Sequence, residues 1–472
     1  MRALDSEPAI LPPGGRAGPP APRRVPVSCE HGGVIPTAQS HPVRPWRWVP
    51  TLYFAEGLPY VVVMTLAVVM YKNLGVDNAE IALVTSGLYL PWVIKPLWGP
   101  LVDLGGRKRR WIVALQFVIG AAFAGVALAL PGPHFLRLTL AVFWLMAFAS
   151  ATHDIAADGF YMLALPQRAQ AAFVGVRSTA YRLAMIAGQG GLVYLAGWLA
   201  QRGGGPAAGW ATVFALLAVG FGSVAAYHLW ALPRPVADHA SPRGARLGAD
   251  FGAVFAAFFR QPGIARILAF LLLYRFAEAQ LLKLVTPFML DPHAAGGLGL
   301  STQDVGIAYG TVGVSALTLG GLLGGWLIAR RGLKRTLWPL MLCMHLPNLV
   351  FVALAVVQPA GLALVSGAVA LEQFGYGFGF TAYLVFMLMV ASGRGDGSAS
   401  GPENEHQTAH YALCTGVMAL GMMVPGMWAG WLQEWLGYRA FFVWACIATL
   451  PSFGAAALLR IAPDYGRRID PA

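Results

Sequence analysis

The sequence predicts an all-α membrane protein in which twelve transmembrane helices form two pseudo-symmetric six-helix halves, with both termini in the cytoplasm. Three observations lead to this fold class. Only 11% of the 472 residues are charged and 57% are hydrophobic, whereas about a quarter of the residues of a soluble domain are charged. Apolar runs of about 20 residues, long enough to cross a bilayer, recur from Trp48 to Ile461. Basic residues concentrate in every second loop.

The placement of the basic residues predicts the orientation. The predicted inside segments hold 24 of the 33 Lys and Arg residues, the predicted outside loops hold four, and the apolar segments hold the other five. This bias places both termini in the cytoplasm and requires an even number of spans. It also argues against nucleic-acid binding, which the formal net charge of +12 would suggest in a soluble protein.

The chain divides into five parts by composition. Residues 1–47 contain ten prolines and six arginines but no apolar core, which predicts a disordered cytoplasmic tail. Residues 48–232 form the first six-helix half and residues 263–461 the second. The polar stretch 233–262 is predicted to be a cytoplasmic linker, and residues 462–472 a second cytoplasmic tail.

The two halves are related in sequence. Gly99-x-Leu101-x-Asp103-x-x-Gly106-Arg107-Lys108-Arg109 follows the second span, and Gly325-x-Leu327-x-Ala329-x-x-Gly332-Leu333-Lys334-Arg335 follows the eighth. Phe54-Ala55-Glu56 in the first span recurs as Phe276-Ala277-Glu278 in the seventh. A tandem repeat with a cavity between its halves is typical of secondary transporters.

The glycine, aspartate and basic cluster after the second span resembles the cytoplasmic loop signature of the major facilitator superfamily. Further stretches resemble the AmpG-like muropeptide permeases and their acetyl-CoA transporter relatives. These stretches are Tyr53–Pro59, Leu90–Trp98, Ala149–Asp158, Tyr181–Leu183 and Thr408–Leu413. The chain departs from the AmpG-like pattern at four positions, where it has His153, Tyr161, Leu163 and His410.

Ten ionisable residues fall within the apolar segments. They are Glu56, Lys95, Asp154, Asp158, Arg177, Arg182, Arg275, Glu278, Lys283 and Glu372. Each would disfavour membrane insertion by roughly 3 kcal/mol if it faced lipid, so we expect them to face one another or water.

Spans four and five are predicted to form an antiparallel hairpin. Residues at equal depth then pair Asp158 with Arg177 and Asp154 with Arg182, and Lys95 belongs to the same group. We expect an ion-pair ladder that is structural or acts as a gate, with direct coupling or substrate contact as the alternative.

Glu56, Glu278 and Glu372 lie on spans one, seven and ten, which line the central cavity in the superfamily. We hypothesise that one of them binds the driving proton while Arg275 and Lys283 hold an anionic group of the substrate. The alternative is that Arg275 and Glu278, three residues apart, neutralise each other.

The loop signature has a separate role by resemblance. Asp103, with Gly99, Gly106 and Arg107, is expected to act as a conformational latch between the halves, whereas a plain positive anchor is the alternative. His406 and His410 have helical spacing but no third ligand, so no metal site is predicted and no cofactor is expected.

The predicted function is secondary active transport in the bacterial inner membrane, not enzymatic catalysis. By resemblance the substrate is a peptidoglycan-derived amino sugar or muropeptide, imported with protons, and coupling to sodium is the alternative. The protein is expected to be a monomer. The alternatives are a permease for another glycan, a carrier of an acetyl-CoA-like organic anion, and a membrane sensor that does not transport. The expected partners are the small-molecule substrate, the proton and the lipid bilayer.

Overall fold

A computed structural model describes most of the chain. The described residues are 44–104, 106–235, 238, 247–394, 407–463 and 465–467. Every regular element among them is a helix. The predicted tail over residues 1–47 lies outside the described part except at its end, where Pro45–Arg47 form a short 3₁₀ turn that leads into the first long helix.

Within the described ranges, ten helical segments are long and apolar enough to cross a membrane. They are α1 (Pro45–Asn73), α2 (Asn78–Gly99), α3 (Lys108–Ala129), α4 (Phe135–Ala164), α5 (Ala172–Arg202), α6 (Gly205–Ala231), then, after three shorter helices, α10 (Thr302–Arg331), α11 (Leu333–Val357), α12 (Leu362–Ala391) and α13 (Ala409–Ala457). The shorter helices are α7 (Leu247–Phe259), α8 (Ile264–Leu273) and α9 (Phe276–Leu290).

The predicted twelve spans differ from these ten segments at two places. The predicted seventh span is divided into α8 and α9 by the non-helical Arg275 (φ −107°, ψ 14°), and neither part alone is long enough to cross a membrane. The last two predicted spans form the single 49-residue segment α13. Gly437 interrupts that segment with φ 73°, a conformation that favours glycine.

The predicted cytoplasmic linker over residues 233–262 contains more structure than its polar composition suggests. It includes α7, whose Phe258 is fully buried. Its Asp238 is also buried and accepts hydrogen bonds from the backbone N–H groups of Lys108 (2.7 Å) and Arg109 (3.2 Å) at the start of α3. Residues 236–237 and 239–246 lie outside the described part.

The buried apolar side chains of the described residues form four clusters. Two clusters draw their buried members from residues 48–232, and two draw theirs from residues 258–461. We call α1–α6 the N-terminal helices and α8–α13 the C-terminal helices. Each set therefore has apolar cores of its own.

Three of the long helices contain a π-helical turn. The turns are Val62–Leu66 in α1, Ala187–Leu192 in α5 and Gly306–Gly313 in α10. A π-turn widens a helix locally and is frequent at functional sites. The three turns therefore indicate a functional site in the region where the N-terminal and C-terminal helices meet.

Candidate functional site

Five of the ionisable residues singled out in the sequence lie together among the N-terminal helices. This N-terminal charge cluster consists of Glu56 on α1, Lys95 on α2, Asp154 and Asp158 on α4, and Arg177 on α5. Asp154 and Asp158 lie on one face of α4 because they are four residues apart. Lys95 forms an ion pair with Asp154, and Nη2 of Arg177 lies 2.7 Å from Oδ1 of Asp158.

Tyr53 completes the Asp158 side of the cluster. Its hydroxyl donates a hydrogen bond of 3.1 Å to Oδ1 of Asp158. The guanidinium of Arg177 lies 4.4 Å from the centre of the Tyr53 ring, close enough for a cation–π interaction. The ion pair is therefore held between α1, α4 and α5.

Of the two ion pairs predicted from equal depth in the hairpin, one is present. Asp158 pairs with Arg177, but the prediction that Asp154 pairs with Arg182 is wrong. Arg182 instead donates a hydrogen bond of 3.2 Å to Thr318 on α10, and Lys95 is the partner of Asp154. Since Arg182 is five residues after Arg177, its side chain points away from α4 and towards the C-terminal helices.

The N-terminal charge cluster contains one carboxylate more than it has cations. Carboxylate oxygens of Glu56, Asp154 and Asp158 all lie within 4.8 Å of one another. Among the described residues, Oε2 of the buried Glu56 has no hydrogen-bond partner. One proton or one bound cation would balance the charge. The cluster is therefore one candidate site for a proton or a cation.

A cavity of about 120 Å³ lies where the N-terminal and C-terminal helices meet. Its polar lining residues are Tyr60, Thr65, Tyr89, Gln189, Arg275, Lys283, Thr286, Tyr309, Gln373 and Tyr376. Each of the three π-helical turns supplies lining residues. Among the described residues that line the cavity, two are cations and none is a carboxylate, so an anionic ligand suits it.

Arg275 enters this cavity from the break between α8 and α9. Its Nη2 donates a hydrogen bond to the hydroxyl of Tyr376, and its guanidinium lies 4.8 Å from the centre of the Phe380 ring. The alternative was that Arg275 and Glu278 neutralise each other. No ion pair joins these two described residues in the structure.

Glu278 and Glu372 are almost completely buried and are not among the residues that line the cavity. Within the described chain, neither carboxylate oxygen of Glu278 has a hydrogen-bond partner, and Oε1 of Glu372 has none either. Oε2 of Glu372 accepts a hydrogen bond of 3.0 Å from Gln373. Because an unpaired buried charge is strongly unfavourable, both side chains are suited to the neutral acid form.

Lys283 links the two sets of helices at the cavity. Its Nζ donates a hydrogen bond of 3.0 Å to the hydroxyl of Thr85 on α2. It also lies 5.3 Å from the centre of the Tyr89 ring. A buried ammonium with one hydroxyl partner retains donor capacity for a ligand.

At one end of the bundle the two sets of helices are tied by a polar network, which we call the Lys72 end. Nζ of Lys72 at the end of α1 lies 2.6 Å from Oδ1 of Asp291, which follows α9. Asn78 at the start of α2 accepts from Lys72 (2.8 Å) and donates to Gln433 (2.7 Å) and Tyr438 (2.9 Å). The Tyr438 hydroxyl donates to Asp291 (2.6 Å).

Glycines allow the backbones to approach closely between this network and the cavity. A Cβ atom at Gly310 of α10 would lie 2.1 Å from the carbonyl group of Gln189 on α5. A Cβ atom at Gly190 would lie 2.5 Å from Oγ1 of Thr311. A larger residue at either position would push α5 and α10 apart.

A second cavity, of about 350 Å³, adjoins the Lys72 end. Its lining includes Lys72 and Asp291, which already pair with each other, and Asn73, which accepts hydrogen bonds from Trp210 and Thr302. Since these polar groups are satisfied within the protein, we assign the candidate ligand site to the smaller cavity.

The predicted latch residues lie at the opposite end of the bundle, between α2 and α3. The side chain of Asp103 lies outside the described part. Gly99 has open space around it, and Gly106 has φ 112°. Arg107 is the residue before α3. The buried Asp238 is an acceptor at this loop, and no sequence pattern singled it out.

Sequence reasoning also missed a buried polar chain among the N-terminal helices. Thr51 contacts Nε2 of His228 (2.9 Å), Nδ1 of His228 contacts Gln116 (2.9 Å), and Gln116 contacts Nε2 of His153 (3.0 Å). Gln116, His153 and His228 are completely buried. The departure of His153 from the AmpG-like pattern was the signal that could have drawn attention to this buried series of hydrogen bonds.

Comparisons with known proteins agree with this architecture. The family model described as Major Facilitator Superfamily matches residues 51–401. The anhydromuropeptide permease of Escherichia coli strain K12 is 27% identical over 425 residues, which cover 88% of this chain and 80% of the permease.

Solved structures of transporters share the fold. A mutant of the nucleoside transporter NupG superposes with a TM-score of 0.63 at 18% identity, covering 87% of this chain and 98% of that one. The D-xylose-proton symporter gives a TM-score of 0.60 at 13% identity, covering 90% and 99%. At these identities the likeness concerns the fold alone.

Proposed function

Because the chain belongs to the Major Facilitator Superfamily and is a multi-pass membrane transporter, we propose that it imports peptidoglycan-derived amino sugars or muropeptides across the bacterial inner membrane together with protons. The similarity to the anhydromuropeptide permease supports this substrate class. The cavity between the two sets of helices carries the proposal, because the described residues that line it include Arg275 and Lys283 but no carboxylate.

The side chains that line the cavity suit both parts of a muropeptide, the sugar and the peptide stem. The sugar presents hydroxyl groups and ring faces, for which the cavity offers four tyrosines and two glutamines. The peptide stem carries carboxylates, for which it offers Arg275 and Lys283. Glu56, Glu278 and Glu372 are the candidate proton-binding groups, since each has a buried oxygen without a partner among the described residues.

Alternating access follows from the same arrangement. We assign residues 48–232 and 263–461 to two six-helix halves and place both termini in the cytoplasm, which puts the Lys72 end on the outer face. At about 120 Å³ the cavity is smaller than the roughly 300–1,000 Å³ of typical ligand pockets, so a substrate requires the halves to separate. We propose that the protein works as a monomer, since the cavity residues and the Lys72 end belong to one copy of the chain.

The other assignments follow from this orientation. The pairs formed by Lys95 with Asp154 and by Arg177 with Asp158 hold α2, α4 and α5 to one another on the cytoplasmic side of the cavity, as a structural ladder or gate. Asp103 with Gly99, Gly106 and Arg107 acts as the latch at the cytoplasmic loop.

The test is uptake of labelled anhydro-disaccharide muropeptide into proteoliposomes, with unlabelled competitors. We expect muropeptides to compete, whereas nucleotides do not. Arg275→Gln and Lys283→Gln should each weaken uptake at least about tenfold, as expected for a lost charged hydrogen bond. Arg330→Gln, at an exposed arginine that contacts Trp326, is the matched control. Competition by acetyl-CoA-like anions instead of muropeptides would contradict the substrate class.

A further inference from the structure

We propose that Arg275 is a switch that pairs either with ionised Glu278 or with the anionic group of the substrate, so that a proton on Glu278 is required for substrate binding. The inference rests on the proposed transport of an anionic substrate. It specifies which carboxylate couples the proton and how, which the proposed function leaves open.

The backbone places Arg275 at a hinge. α8 ends at Leu273 and α9 begins at Phe276, and Arg275 between them has φ −107° and ψ 14°. Its carbonyl oxygen already accepts a hydrogen bond from the N–H of Ala279 (2.8 Å), so it forms the first turn of α9. A long side chain at the junction of two helices changes its direction when the angle between them changes.

The side chain of Arg275 is held by groups that ligands can replace. The Tyr376 hydroxyl accepts one hydrogen bond, and the Phe380 ring lies 4.8 Å from the guanidinium. Its Nε is buried and has no partner within the described chain. Arg275 lines the central cavity and therefore has donors left for an anion there.

Glu278 lies three residues after Arg275, a spacing at which the two side chains can meet. In this structure they do not form an ion pair, and both oxygens of Glu278 lack partners among the described groups. Glu278 is completely buried. An ionised carboxylate in this place would be a buried charge without a partner, whereas the neutral acid is tolerated.

The groups around Glu278 reinforce this assignment. Its titratable and charged neighbours are Arg275 just before its own helix, Glu372 and Tyr376 on α12, and Tyr309 on α10. Arg275 is the one cation in this set, and Glu372 adds a second acidic group. When Glu278 loses its proton, Arg275 is therefore the group that can neutralise it.

Two states follow. With Glu278 ionised, Arg275 turns from Tyr376 to Glu278 and is no longer available to an anion. With Glu278 protonated, Arg275 remains in the cavity and binds the anion. Because each event favours the other, a bound proton strengthens substrate binding and a bound substrate strengthens proton binding by the same factor.

The test measures binding of labelled anhydro-disaccharide muropeptide to the purified full-length protein at acidic and at alkaline pH, together with transport in proteoliposomes. For the unsubstituted protein we expect binding to weaken at least about tenfold at alkaline pH, within the usual range of coupling. Glu278→Gln should bind equally at both pH values and exchange substrate across the membrane, but not accumulate it under a proton gradient. Glu80→Gln, at an exposed glutamate, should behave like the unsubstituted protein.

Tyr376→Phe provides a second test should Glu278→Gln fail to fold. It removes the hydroxyl that holds Arg275 away from Glu278 and keeps the ring. Since the Arg275–Glu278 pair is then favoured, the pH at which binding is half lost should shift to a more acidic value.

Two results would separate the inferences. Gradient-driven accumulation by Glu278→Gln, or an unchanged pH dependence in Tyr376→Phe, would overturn the switch and leave the proposed function standing. An unsubstituted protein that is folded but neither binds nor transports the muropeptide would overturn the proposed function and the switch with it.

Discussion

Lys72 and Asp291 form an ion pair of 2.6 Å that joins the end of α1 to the end of α9. Their side chains are 15% and 14% exposed, so solvent screens the pair only partly. Asn78 and Tyr438 hold the same two groups. The pair therefore ties the N-terminal helices to the C-terminal helices at the end we assign to the outer face.

Exchanging the two charges tests this tie. Lys72→Asp alone places two carboxylates together, which should hold the outer end apart and reduce uptake by roughly tenfold, equivalent to about 1.4 kcal/mol. The double variant Lys72→Asp with Asp291→Lys should recover much of the uptake. A double variant as inactive as the single ones would show that the pair does not act as a unit.

The contact of α5 with α10 predicts an effect of a single methyl group. Gly310→Ala should separate these helices, because its Cβ would lie 2.1 Å from the Gln189 carbonyl. Overpacking of this kind is unfavourable by roughly 1–3 kcal/mol, so we expect uptake to fall about tenfold or more.

Gly191→Ala is the matched control, since nothing lies within 4 Å of a Cβ atom there. The comparison is made on uptake rates of equal amounts of reconstituted protein. Equal rates for the two variants would argue against close approach of α5 and α10 during transport.

The Asp158–Arg177 pair predicts non-additive effects on stability. Asp158→Asn leaves the Arg177 guanidinium without its carboxylate and should lower the stability of the detergent-solubilised protein by roughly 1–3 kcal/mol, because the pair is partly exposed. Adding Arg177→Gln should restore part of this loss. Thermal unfolding measures both, and strictly additive losses would mean that the two residues act independently.

The buried hydrogen bonds of Gln116 predict that His153→Gln is less destabilising than His153→Leu. Glutamine supplies an acceptor for the Gln116 amide, whereas His153→Leu leaves that N–H group unpaired in a completely buried place. The difference should be roughly 1–3 kcal/mol in unfolding free energy. Similar unfolding temperatures for the two variants would exclude a role of this hydrogen bond in stability.

The membrane class could be predicted from the sequence because the bilayer imposes a strong compositional constraint. Of the ten ionisable residues predicted within the spans, five are buried, namely Glu56, Arg275, Glu278, Lys283 and Glu372. The depth argument also identified Asp158 as the partner of Arg177. It failed for Arg182, because equal depth does not determine the direction in which a side chain leaves its helix. Arg182 contacts Thr318 on α10, a contact between distant parts of the chain.

Other features depend on backbone geometry that periodicity does not report. The break at Arg275 lies within a continuous apolar run, and no proline or glycine marks it. The contact between Gly310 and Gln189 depends on how two helices cross. The cavity likewise needs residues from both sets of helices, which only the folded chain brings together.

The most direct test of the account is accumulation of labelled anhydro-disaccharide muropeptide in proteoliposomes under an inward proton gradient, before and after an uncoupler collapses it. The account predicts accumulation above the external concentration that is lost on collapse, while exchange of internal for external substrate continues. Accumulation that is unchanged by the uncoupler, or a folded protein that transports no muropeptide under either condition, would contradict it.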